Sequence, residues 1–206
     1  MSRIREINSE RILEASCIEF AEKGYAATKI IDIAKKVDLP KPNIYYYFQS
    51  KENLYRCVLE SIIEPLLEAS APFEQYDDPA IALEQYIHTK IRISQQHPHA
   101  SKVFASEIMH GAPHLTQDIA DKLMQQTTQM TARIKQWIAD EKMEPIDPQH
   151  LLFMIWASTQ TYADFDWQIA KVTGKKSLES QDYQTAANLI SRLVLKGCGL
   201  NFKETA

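Results

Sequence analysis

The chain has 206 residues, 45% of them hydrophobic and 24% charged, with a net charge of −4. This size fits one large domain, or a small one joined to a larger one, with an ordinary globular core. No apolar run is long enough to span a bilayer and MSRIREINSE lacks the apolar core of a signal peptide, so a membrane protein is excluded and a cytoplasmic location is expected. Cys17, Cys57 and Cys198 are odd in number, far apart and without paired histidines, which predicts buried thiols instead of a disulfide framework or zinc site.

Helical periodicity runs almost throughout and strand signals are nearly absent, so the fold class is all-α with about nine helices. Asn8 or Ser9 is expected to cap a first helix over about 9–23, which Gly24 ends. Short helices over about 29–36 and 41–48 follow, and Ser50 starts a fourth that runs to about Ala69 and kinks at Pro65. After a loop at Pro72 and Asp77-Asp78-Pro79, helices are predicted near 79–96 and 99–110, then about 115–142 beyond Gly111-Ala112-Pro113. Asp147 and Pro148, a capping carboxylate before a first-turn proline, open a helix to about Thr173, and a last helix covers about 181–199.

Residues 28–51 carry the most chemistry. Ile30, Ile31, Ile33, Ala34 and Val37 form one apolar stripe; after a turn at Asp38 and Leu39, Ile44 and Phe48 anchor a second short helix. That helix has Lys41, Asn43, Tyr45, Tyr46 and Tyr47 left over, which is how a helix-turn-helix presents itself to DNA. The charge balance agrees: residues 1–56 carry +2 and residues 57–206 carry −6, and phosphate contact needs local positive charge, not a basic total.

Gly24-Tyr25, Thr28, Ile33-Ala34, Ile44-Tyr45, Phe48 and Ser50-Lys51 stand at the spacing of the TetR family of bacterial transcriptional regulators, and the chain resembles a member across its length. The resemblance implies a three-helix DNA-binding domain at 1–50 and a larger helical domain for ligand and dimerisation at 51–206. It also implies a homodimer on a pseudo-palindromic double-stranded operator, released by a small effector, with no cofactor, no metal and no enzymatic activity. Thr28, Lys29, Lys41, Pro42, Asn43, Tyr45, Tyr47 and Lys51 take the positions that meet DNA in the family, Thr28 on a phosphate. Lysine suits a guanine edge or phosphate, asparagine can bond adenine twice, and tyrosine hydroxyls suit phosphate oxygens. Arg3 and Arg5 are candidates for backbone or minor-groove contact. The alternative is that the tyrosines pack a small core and Lys51 is a solvated helix start; Tyr46 is read as the structural one. Two positions depart from the pattern: Asp38 stands where the turn usually has glycine, and Pro40 where a serine or threonine cap is usual.

In the C-terminal part, Pro-Ile-Asp-Pro-Gln-His (145–150) and Trp-Ala-Ser-Thr-Gln (156–160) with Tyr-Ala-Asp-Phe (162–165) resemble the RutR-type branch, repressors of pyrimidine utilisation that respond to uracil and thymine. Trp156 and Gln160 are four residues apart on one helical face; an indole can stack and a carboxamide can both donate and accept, which suits a planar imide. The resemblance places both in the ligand pocket, with Leu66 and Phe104. Leu66 lies where that branch commonly has tryptophan, which points to a different pocket wall and leaves another hydrophobic effector open. The alternative for Trp156 and Gln160 is a core residue and a satisfied polar group. His97, His99, His110 and His114 do not share a helical face and are read as exposed or capping, and Asp164 and Asp166 are too far apart around a helix to form a carboxylate pair.

Large residues on several faces of the last two helices (Leu151, Leu152, Ile155, Ala163 and Phe165, then Leu189, Ile190, Leu193 and Val194) exceed what one core covers and predict a dimer surface. A helical enzyme is the competing class, but the sequence offers no nucleophile with an adjacent base, no metal set and no phosphate loop.

Overall fold

The computed structural model describes residues 3–202. Among them are eleven helices and no strand: α1 (Arg3–Ala27), α2 (Ile30–Lys36), α3 (Lys41–Phe48), α4 (Lys51–Glu68), α5 (Pro72–Gln75), α6 (Pro79–Gln96), α7 (Pro98–Met109), α8 (Gln117–Ala139), α9 (Pro148–Asp164), α10 (Asp166–Thr173) and α11 (Ser180–Gly197). No described helix is long and apolar enough to cross a membrane.

Several helix boundaries follow from single residues. Ser50 Oγ accepts from Asn53 N–H at 3.0 Å and starts α4, and Asp147 Oδ1 accepts from His150 N–H at 2.9 Å and starts α9. Asp78 caps α6 in the same way through Ala80 N–H at 2.8 Å. Gly24 breaks α1 near its end with φ 74°, ψ 168°, a conformation open to glycine because it has no Cβ.

Three expectations are corrected. Neither Asn8 nor Ser9 caps α1, which already runs from Arg3 because nothing before Gly24 interrupts a run of good helix formers; the Asn8 amide donates instead to the Tyr47 hydroxyl at 3.2 Å. The segment read as a loop at Pro72 holds one helical turn, α5, with proline at its first position. The helix expected from 147 to 173 breaks at Phe165 (φ −110°, ψ 30°), so Asp164 and Asp166 lie on different helices. Together α5 and this break turn about nine helices into eleven.

The chain divides into two compact units, Met1–Glu64 with His99–Thr116, and Pro65–Pro98 with Gln117–Ala206. The first holds the 1–50 segment together with most of α4 and with α7. Its core gathers Ile12, Phe20, Ile33, Ile44, Phe48, Leu54, Val58 and Val103. Glu19 is buried beneath it: burial pushes its carboxyl up, but bonds from Lys23 (2.6 Å) and Lys36 (2.8 Å) outweigh that and hold it below the ordinary value. The second unit packs α6 against α9 and α11 over Leu83, Ile87, Ile134, Leu152, Ile155 and Leu195. Phe73 stacks on Trp137 at 5.7 Å and meets Tyr86 edge-on at 5.2 Å.

Of the cysteines, all free, only Cys198 is fully buried; Cys17 and Cys57 are half-buried and pack against the first unit's core. Burial pushes the Cys17 and Cys198 thiols up to about 11, which leaves both inert as nucleophiles.

Candidate functional site

The turn between α2 and α3 is set by backbone bonds. Asp38 N–H donates to Lys35 C=O (3.3 Å) and Leu39 N–H to Ala34 C=O (3.0 Å), the paired bonds of a Schellman motif, and Asp38 takes its left-handed position with φ 53°. Arg11 of α1 donates to Val37 C=O at 2.8 Å and fastens the turn from the other side. Pro40 occupies the cap position of α3 with φ −58°, ψ 140° and no side-chain bond; its carbonyl accepts from Asn43 N–H at 2.9 Å. The turn therefore closes without glycine and α3 starts without a hydroxyl cap.

On α3, Ile44 and Phe48 are 1% and 6% exposed and anchor the helix. Lys41, Pro42 and Asn43 are exposed in its first turn, with Lys41 Nζ 5.8 Å from the Tyr45 ring centre. The order of the tyrosines is the reverse of the sequence reading. Tyr46 is 68% exposed, Tyr45 is 39% exposed, and Tyr47 is the half-buried one, packed on the core and held by Asn8. The reason is helical phase: Tyr47 lies three residues from Ile44 and one from Phe48, whereas Tyr46 is on the far side. Arg5 of α1 lies 5.5 Å from the Tyr46 ring centre, so cation and ring extend one outward surface.

The flanking residues separate. Lys29 is exposed at the start of α2. Thr28 is 2% exposed, and its hydroxyl proton is shared between Gly24 C=O (2.8 Å) and Glu19 C=O (3.0 Å), so it closes the α1–α2 turn from within. Lys51 Nζ donates to Ala26 C=O at 3.3 Å and lies 4.7 Å from the Tyr25 ring centre; burial lowers its pKa.

His114 corrects the reading of the histidines. The Gly111-Ala112-Pro113 turn folds it back onto Tyr25 (4.3 Å between ring centres) and Tyr55 (5.1 Å). Its N–H donates to the buried Glu107 carboxylate, which also accepts from Tyr55 OH at 3.0 Å. Sequence spacing did not signal this cluster, because its members come from α1, α4, α7 and a loop. Phe104 of α7 also packs on the first unit's core. Among the described residues no group of three His, Cys, Asp or Glu side chains is placed to hold a metal.

In the second unit Trp156 and Gln160 do share a face of α9, and both are half-buried. The indole N–H donates to the Tyr86 hydroxyl of α6 at 2.6 Å, and Gln160 Nε2 donates to Asp164 Oδ1 at 3.0 Å. One turn on, Ser94 Oγ of α6 donates to Thr159 C=O at 3.0 Å, with both residues buried. Leu66, near the end of α4, is half-buried, and its carbonyl accepts from Gln126 Nε2 at 3.3 Å. The sequence reading missed Tyr86 and Ser94; their spacing of two helical turns on α6 was the available signal. The Trp156 indole and the Ser94 hydroxyl thus tie α9 to α6 at two points about one helical turn apart along α9.

A short helix held by two apolar anchors, following a second helix across a tight turn and presenting lysine, asparagine and tyrosine outward, defines a helix-turn-helix protein. Residues 12–58 match the bacterial regulatory proteins of the tetR family, and residues 59–201 match the C-terminal region of YcdC-like proteins. The HTH-type transcriptional regulator RutR of Escherichia coli (strain K12) is 36% identical over 196 residues, spanning 95% of this chain and 92% of its own. The solved TetR family regulator PfmR of Thermus thermophilus has a TM-score of 0.73 at 19% identity, over 94% of this chain and 97% of its own. AibR, solved with isovaleryl coenzyme A and operator DNA, has a TM-score of 0.68 at 15% identity, over 90% and 97%. At those identities the two structures share the fold. The chain belongs to the tetR family, ligand-responsive transcriptional regulators that are DNA-binding proteins and not enzymes.

Proposed function

We propose that this regulator represses transcription as a two-fold dimer on a pseudo-palindromic operator, and that a planar nitrogen heterocycle, with uracil and thymine as first candidates, binds against Trp156 and Gln160 and releases it. The observation that carries the DNA half is the outward set Lys41, Asn43, Tyr45 and Tyr46 on a helix whose only buried residues are Ile44 and Phe48. Asparagine is suited to a bidentate adenine contact and the lysine to guanine or phosphate. Dimerisation is supported by apolar surface left uncovered on the last helices: Phe153 and Met154 on α9 are 49% and 48% exposed, and Leu189 and Leu193 on α11 are 45% and 62%. A two-fold axis between such faces spaces two copies of α3 for two half-sites. The effector half is supported by the likeness of the 145–165 run to RutR-type regulators and by the indole and carboxamide on one face of α9.

Sedimentation of the whole chain should give a species near twice 23.7 kDa. An operator selected from random duplex DNA should bind with a steep salt dependence, and uracil or thymine should weaken it at least tenfold, which takes about 1.4 kcal/mol of coupling. In calorimetry the heat of pyrimidine binding should disappear in Gln160→Ala and Trp156→Ala. No heat with either base at millimolar concentration rejects the pyrimidine and leaves the repressor standing; binding that survives both substitutions moves the site elsewhere.

A further inference from the structure

Tyr86, Lys90 and Ser94 follow each other at four-residue steps along α6. Each step turns a helix by about 40°, so Lys90 lies angularly between the other two and one turn from each. Its neighbours on that face are held: Tyr86 by Trp156 at 2.6 Å and Ser94 by the Thr159 carbonyl at 3.0 Å. These bonds hold this face of α6 against the Trp156–Gln160 stretch of α9, and the helical phase sets Lys90 on that same face.

Lys90 has no counter-charge there. Among the described residues no carboxylate lies within ion-pair distance of its ammonium and no acceptor takes a hydrogen bond from it. The residues three and four positions away on α6 are Tyr86, Ile87, Ile93 and Ser94, none of them acidic. Lys90 is half-buried by its accessible surface, and loss of water around the ammonium pushes its pKa down to about 8. An ammonium drawn even partly out of water is costly to keep without a counter-charge, whereas Lys23, Lys36 and Lys142 each have a carboxylate partner. A cation held in a seam of aromatic and hydrogen-bonding side chains has the chemistry of a ligand contact.

We propose that Lys90 is the ionic contact of the effector site, and that the effector is a planar ring bearing an anionic oxygen, a carboxylate or an ionised imide. The inference rests on the reading of Trp156 and Gln160 as the effector seam. The ring lies along the Trp156 indole, Gln160 addresses its polar edge, and the anionic oxygen supplies the counter-charge that the protein does not. Charge, not ring shape alone, then decides which heterocycles release the operator.

The test uses the whole chain with three probes: uracil, whose imide is weakly acidic, nicotinate, a ring carboxylate that is not a pyrimidine, and nicotinamide, its neutral counterpart. Lys90→Met keeps the length of the stem and removes the charge, so its melting temperature should be at or above wild type. It should weaken uracil about tenfold or more, the loss expected for a charge-assisted hydrogen bond. If wild type ignores uracil but prefers nicotinate to nicotinamide, and Lys90→Met loses that preference, the pyrimidine reading falls and the Lys90 assignment stands. Equal affinity of wild type and Lys90→Met for whichever probe binds overturns the assignment and leaves the pyrimidine reading untouched. No binding of any probe at millimolar concentration overturns both. A measurement on wild type guards against a variant that fails to fold: the Lys90 Nζ resonance, titrated with and without saturating probe, should show a raised pKa in the complex. An unchanged titration counts against the proposal.

Discussion

The outward face of α3 and the seam between α6 and α9 solve opposite problems. On α3 the two buried residues, Ile44 and Phe48, do most of the packing with the half-buried Tyr47, and Lys41, Asn43, Tyr45 and Tyr46 stand in solvent. In the seam the polar residues are half-buried or buried, and they double as packing: Trp156 is tied to Tyr86 and Ser94 to Thr159. A surface built to meet a large polyanion can keep its donors solvated until binding, because water satisfies them meanwhile. A surface built to enclose a small ring must keep its donors bonded within the protein, or leave a buried group unsatisfied at a cost of about 1–3 kcal/mol. On the proposed function, stability and recognition are therefore separable on α3 and joined in the seam.

The largest effect should come from breaking the separation on the α3 side. Phe48→Ala removes a ring that is 6% exposed and closes the three-helix core, and should cost about 3–5 kcal/mol in urea unfolding. Asn43→Ala, five positions earlier and exposed, should change stability by less than about 0.5 kcal/mol. It should still cost about 1–3 kcal/mol on the selected operator and less on random duplex. Equal losses on both DNAs would make Asn43 a structural residue and erase the contrast.

The seam should not allow this division. Trp156→Phe keeps an aromatic wall but removes the N–H that the hydroxyl of the buried Tyr86 accepts from. Unfolding free energy should fall by about 1–3 kcal/mol, and effector affinity should fall with it. Chemical denaturation and calorimetry on the same preparation read both. Loss of binding at full stability would show that the indole serves the ligand alone, the division proposed for the outward face of α3.

The same contrast explains what was legible in the sequence. The α3 face was, because a short helix with two apolar anchors leaves its outward residues in order, and because caps such as Ser50 and Asp147 are read locally. Its errors were of phase and of burial: Tyr46 was exchanged with Tyr47, and the Thr28 hydroxyl is turned inward onto two carbonyls. The seam was half legible. Trp156 and Gln160 share a helix and so a face, but Tyr86, Lys90 and Ser94 come from residues about 70 positions away, and periodicity records only that α6 is amphipathic. The break at Phe165 had no signal, since neither glycine nor proline marks it. The Glu107–His114–Tyr55 cluster was illegible for the same reason as the seam: a tertiary bond leaves no local pattern.

The smallest effect belongs to the turn that precedes α3, where a local rule and a tertiary one meet. Asp38 holds φ 53°, a left-handed conformation that costs a residue with a Cβ about 1 kcal/mol or more, less for aspartate than for most. The two Schellman bonds through Asp38 and Leu39 and the Arg11 bond to Val37 keep the residue there despite that cost. Asp38→Gly should therefore raise stability by about 0.5 kcal/mol, the gain being trimmed by the greater freedom of glycine in the unfolded chain. Asp38→Ala, which has a Cβ and no short polar side chain, should lower it by about 1 kcal/mol. Thermal melts of the two variants should thus move in opposite directions from wild type. If both moved the same way, the left-handed turn would not be what limits stability at this corner, and the usual glycine of the family would need another reason.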